Sequence, residues 1–141
     1  MFRRMLAAAA LTVWAAVPAA AQDRHKWWAD ETTRQEIGLS AEQAVKAEEI
    51  FQASLPRLQE LKSNLDTLEA ELNALIRENK ADESVVAGKI DAVERVRGEM
   101  SKTRMLMLYR IHRLLTAEQQ ERFKTMMDRV RARRRIGEHG T

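Results

Sequence analysis

Three histidines, His25, His112 and His139, are the most chemically versatile residues of this chain, and their spacing argues against most of what they could do. No two stand one helical turn apart, as paired metal ligands on a helix face would. His112 lies alone between Ile111 and Arg113, His25 stands in the N-terminal segment and His139 in the tail. There is no Ser/His/Asp arrangement, glycine-rich phosphate loop or paired-histidine motif. No catalytic residue, metal ligand or cofactor is therefore assigned, and the chain is not expected to be an enzyme. Cysteine is absent, so a small exported fold would have to hold by packing alone, without disulfides.

The polar residues that recur at fixed spacing belong to two matched phrases, "LSAEQ" (Leu39 to Gln43) and "LTAEQ" (Leu115 to Gln119). A Ser or Thr at a helix N-cap accepts a bond from a backbone N–H of the first turn, and a Gln three residues on reaches back to the cap's own N–H. Ser40 with Gln43, and Thr116 with Gln119, are thus two capping boxes. Leu39 and Leu115 precede them as hydrophobic staples, and Glu42 and Glu118 favour the positive ends of the new helix dipoles.

A third pattern sets arginine beside methionine: Arg97, Met100, Arg104 and Met107. The arginines either snorkel toward Glu60, Asp66 or Glu69 or face a partner. The methionines are either core filler or an adaptable apolar surface. These four residues form the candidate surface for a protein client. Trp27 and Trp28 are either staples on the body of the fold or an arm of that surface.

Such residues need long helices to position them, and the apolar spacing is helical nearly throughout. From Ala41 to about Asn79, Phe51, Leu58, Leu65 and Leu72 recur every seven, with Leu61, Leu68 and Leu75 as a companion row, and Leu55 and Ile76 widen the seam. "ENKADES" (Glu78 to Ser84) breaks the pattern, and Asp82 or Ser84 can cap the next helix. Val86, Ile90, Val93, Met100, Met107, Ile111 and Leu114 then carry a second helix to Leu115. The two fold into an antiparallel hairpin roughly 50 to 60 Å long, setting Leu72 near Ile90 and Phe51 near Ile111. Pro56 predicts a bend and Gly98 a looser partner helix, which together would give a concave face. Trp27 to Gly38 reads as a short helix stopped by Gly38, and Phe123, Met126, Met127 and Val130 as one face of a last helix. Four helices are thin for a monomeric core, so a homodimer is expected.

Residues 1–21 read as a cleavable secretory signal: Arg3 and Arg4, an apolar core from Leu6 to Val17, and a small-residue site ending at Ala21. That core is too short to span a bilayer comfortably. Residues 22–141 are then a single exported domain with no integral span. The formal charge of +3 falls to +1 once Arg3 and Arg4 are removed. Five arginines crowd "RVRARRR" (Arg129 to Arg135) in a basic tail over 129–141. They suit the negative end of a helix dipole, and can also meet phosphate or anionic lipid. No nucleic-acid partner is expected.

The signal, the hairpin and the two boxes together resemble the periplasmic Spy/CpxP-like family, whose hallmark is Leu-Thr-x-x-Gln. Leu115, Thr116 and Gln119 match it in full; Leu39 and Gln43 match with Ser40 in place of Thr. "ELNALIRENKADESVVAGKI" is similar to the zinc resistance-associated and heavy-metal-sensor branch. The resemblance implies an all-α, cradle-shaped antiparallel dimer that works in the periplasm without ATP, as a chaperone for unfolded clients. The alternative is a regulator in envelope stress or heavy-metal resistance, binding a sensor kinase, an anti-sigma partner or metal. Where metal-binding relatives carry ligands, this chain offers Asp30 and Arg34 before the first box and Met107 and Ile111 before the second. No ligand is carried over.

Overall fold

The computed structural model describes residues 26–138; the expected signal, His25 and His139 lie outside the described residues. A single 3₁₀ turn, Trp27–Ala29, leads into four helices: α1 (Glu31–Ile37), α2 (Ala41–Glu78), α3 (Glu83–His112) and α4 (Ala117–Glu138), with no strand among the described residues. The architecture is all-α, and α2 and α3 form the long antiparallel hairpin.

The helix boundaries follow local chemistry. Trp27 to Gly38 is not one helix, because the Asp30 carboxylate accepts from the Thr33 N–H at 2.8 Å and from its hydroxyl at 2.6 Å, which starts a fresh helix at Glu31. Gly38 ends α1 in the left-handed region (φ 76°), with its N–H and that of Leu39 both donating to the Arg34 carbonyl. α2 runs unbroken through Pro56 to Asn79, which stops it at φ 51°. Asp82 takes the N-cap position of α3 through its backbone alone, without a side-chain bond. α3 ends at His112, three residues short of the expected Leu115. The Leu114 and Leu115 N–H groups turn back to the Ile111 and His112 carbonyls, a tight turn that delivers Thr116 as the next cap.

Cross-hairpin ion pairs fix the register: Lys89 to Glu71 at 2.6 Å, Arg97 to Glu69 at 2.8 Å and Arg57 to Glu99 at 2.8 Å. These pairs are substantially exposed, so they set alignment more than stability. Burial supplies the latter, at about 1.5–3 kcal/mol for each large apolar side chain fully removed from water. Leu61, Leu65 and Val93 are buried along the seam, and Trp28, Ala47, Met107 and Ile111 form a cluster at the end that carries both boxes, with Phe51 and Leu58 packed against it. Toward the loop the seam thins. Ile90 is 43% exposed and Ile76 56%, contrary to their expected places in it, because no third helix among the described residues covers the hairpin there.

Candidate functional site

The two boxes form as expected. Ser40 Oγ accepts from the Gln43 N–H at 3.1 Å and Gln43 Oε1 from the Ser40 N–H at 2.9 Å; Thr116 Oγ1 accepts from the Gln119 N–H at 3.2 Å and Gln119 Oε1 from the Thr116 N–H at 2.9 Å. They are also joined to each other. Gln43 Nε2 donates to Gln119 Oε1 at 2.8 Å, and Gln119 Nε2 donates to Gln43 Oε1 at 3.0 Å. The remaining amide hydrogens go to the carbonyl two residues before the other box's cap: Gln43 to Leu114 O at 2.9 Å, Gln119 to Gly38 O at 2.7 Å.

A glutamine amide offers two donor hydrogens and two acceptor lone pairs, and each of these two uses all four. The pattern is a local two-fold repeat in which each glutamine completes its own cap and fastens the other's. Its orientation is unambiguous, since flipping either amide would aim an oxygen at a carbonyl and an NH₂ at an N–H. Leu115, next to the Thr116 cap, is buried, and both glutamines are half-buried. Through this clasp, the start of α2 and the start of α4 are held side by side.

The N-terminal segment closes the same end. Glu48 on α2 accepts from Trp28 Nε1 at 2.9 Å, Lys26 Nζ at 2.9 Å and Gln52 Nε2 at 2.8 Å. The Gln52 bond, with those of Trp28 and Lys26, lowers its carboxyl to about 2, although partial burial works in the opposite direction. Lys26 Nζ also sits 4.3 Å from the centre of the Phe51 ring. Trp28 packs on Phe51 with centroids 5.7 Å apart, while Trp27 packs on Phe123 of α4 at 4.9 Å. The tryptophans are thus staples between hairpin and last helix. Their anchors, Glu48 and Gln52, carry no signal in the sequence that sets them apart from other polar residues of α2.

The expected client surface does not hold together. Met107 is only 5% exposed, a member of the core cluster, because it continues the heptad row into the box end. Met100 is half-buried on the same row. Arg97 is turned along the hairpin to Glu69 and to Glu94 at 2.5 Å, the snorkelling arrangement. Only Arg104 remains exposed without an ion pair to another described residue. Glu60 and Asp66, its other expected partners, are taken by Arg57 and Lys62.

The opposite side of α3 carries what that surface lacks. Met105 and Tyr109 are 68% and 57% exposed, flanked by Leu106 and Leu108, on the face turned away from Met107 and Ile111 by helical phase. No Asp or Glu occurs from Met100 to Thr116, whereas Lys102, Arg104, Arg110 and Arg113 all do. The Arg113 guanidinium lies 5.9 Å from the Tyr109 ring centre. The result is an apolar strip with a basic border. The half-buried His112 rests against Phe123 with centroids 5.6 Å apart, and among the described residues no group of three His, Cys, Asp or Glu is placed to hold a metal ion. No protein-family model, curated protein or solved structure matches this chain.

Proposed function

We propose that the chain is an ATP-independent chaperone of the Spy/CpxP type, exported to the periplasm by the leader expected at residues 1–21 and working there as a homodimer on partly unfolded proteins. The observation that carries this reading is the outer strip of α3: four apolar side chains within little more than one turn, Met105, Leu106, Leu108 and Tyr109, left exposed on a helix whose other face already has its partner. A helix apolar on both sides has a second surface to cover. Methionine and tyrosine suit a surface that must accept unlike sequences, the one by its flexible thioether, the other by broad contact at small entropic cost. The basic border adds long-range attraction for acidic chains without fixing their geometry.

The clasp has a role in this reading as support. It fastens the box end so that the strip sits on a rigid hairpin, leaving recognition to the exposed side chains. The test is aggregation of reduced α-lactalbumin with the chain from Gln22 onward added. Suppression is expected near stoichiometric ratio without nucleotide, and should be lost in the double variant Met105→Glu, Tyr109→Glu. Absence of suppression by the unmodified chain at excess would overturn it. Loss of self-association in the double variant would reassign the strip to the dimer interface.

A further inference from the structure

The arginine cluster is not absorbed by any of this. α4 stays helical to Glu138, so "RVRARRR" is not a loose tail but the last turns of a helix. Arg129 leaves the series to pair with Glu36 of α1, which fastens α4 at that point. Arg131, Arg133, Arg134 and Arg135 beyond it are exposed, and none makes an ion pair with another described residue.

The helix dipole does not explain them. Its attraction for cations fades within the last turn, which Arg135 occupies but Arg131 and Arg133 do not. Arg131 also lies three and four residues from Arg134 and Arg135, and like charges at that spacing repel on a helix. Four such side chains at a helix end, with no ion-pair partner among the described residues, fit counter-charge from outside the chain.

Apolar neighbours narrow its source. Val130, Arg133 and Ile136 form one row at three-residue spacing, with Val130 37% exposed and Ile136, at 75%, the most exposed large apolar side chain among the described residues. A guanidinium between two bare aliphatic groups fits a headgroup layer, where arginine takes phosphate oxygens in its planar fork while apolar side chains enter the acyl boundary. A nucleic-acid backbone would leave Ile136 in water.

We infer that the Arg131–Ile136 end of α4 docks on the surface of an anionic phospholipid bilayer and tethers the body of the protein there. Attachment is peripheral: no described helix is long and apolar enough to cross a membrane. Clusters of four or more basic residues on a helix bind anionic membranes by additive attraction that salt screens. This surface is separate from the α3 strip.

Flotation of the chain from Gln22 onward, the chain that cleavage of the expected leader would leave, with phosphatidylcholine vesicles, with and without about one-third phosphatidylglycerol, tests it. Binding is expected to the anionic vesicles only, lost at half-molar salt. The variant R131Q/R133Q/R134Q/R135Q should bind at least roughly a hundredfold more weakly, and Val130→Ser with Ile136→Ser about tenfold more weakly, both with unchanged helical circular dichroism. If the arginine variant loses helicity, the salt and lipid dependence of the unmodified chain decides the matter. Equal binding to both vesicles, none to either, an arginine variant that binds undiminished, or tighter binding to duplex DNA than to the anionic vesicles would each overturn the inference.

Discussion

Replacing Gln119 by Glu separates a helix cap from a clasp. Glutamate serves the capping box as well as glutamine does and adds charge favourable to the α4 dipole. Were the box only a helix start, the variant would be neutral or slightly stabilising. In the structure, however, Gln119 Nε2 donates to the Gly38 carbonyl and to Gln43 Oε1. A carboxylate can do neither, and it would aim negative oxygens at both. Two hydrogen bonds at about 1 kcal/mol net each, with added repulsion in a half-buried site, give a loss of about 2–3 kcal/mol at neutral pH. Because the folded state disfavours the charged form, the new carboxyl titrates higher folded than unfolded. The loss should therefore fade as pH falls from above the ordinary glutamate value down to it, as a protonated oxygen regains one donor. Urea unfolding followed by tryptophan fluorescence reads it directly: with the leader absent, the only tryptophans are Trp27 and Trp28, both at the box end. Amide exchange should rise over α4 and the start of α2, with Leu61 to Leu75 little affected. A variant within about 0.5 kcal/mol of the parent at neutral pH, inside the ordinary range for inconsequential surface changes, would refute the clasp.

Three further outcomes rest on the same geometry. Acid should release the N-terminal segment: the Glu48 carboxyl titrates at about 2 when folded, so its contribution is complete above the ordinary value of 4.5 and is lost as pH falls from there through 2. Tryptophan emission should shift over that window, and Glu48→Gln should flatten the response. Gly38→Ala should cost about 1–2 kcal/mol in thermal or urea unfolding, since the position has φ 76° and its new Cβ would lie 3.1 Å from Arg122 Nη1. Met107→Ala should cost about 2–5 kcal/mol as a core truncation and Met105→Ala less than about 0.5, a contrast that calorimetry of the two variants measures.

How far the sequence carries depends on how local the cause is. Both boxes, the stop at Gly38 and the loop after Glu78 are readable because each is decided within a few residues. The hairpin register is readable too, from two apolar rows of the same period. That register, which sets Phe51 near Ile111, also brings the start of α2 alongside the end of α3, and the turn after His112 then returns Gln119 to Gln43. The clasp is therefore within reach of the sequence, but hidden when each glutamine is treated as spent on its own cap, which uses only one of its two lone pairs. Met107 shows the opposite error: its place in the heptad row already argues for burial, against grouping it with Arg104 as surface. Asp30 escapes notice as a cap because Trp27 to Gly38 is helical in composition, and only the bond to Thr33 divides it. Nothing local marks Glu48 as the anchor for Trp28 and Lys26, which lie 20 and 22 residues away. The bare strip at Met105 and Tyr109 is likewise invisible in a pattern that fills both sides of α3 with apolar residues.

The most direct measurement of client binding is photo-crosslinking from single positions of the chain, with a benzophenone side chain at Met105 or Tyr109 and, for comparison, at Val45 or Val85, which are also exposed and apolar but lie off the strip. With reduced α-lactalbumin present, client adducts are predicted from Met105 and Tyr109 and few from Val45 and Val85. Adducts spread evenly over all four positions, or adducts at Met105 and Tyr109 formed only with a second copy of the chain, would contradict a client-binding strip on α3.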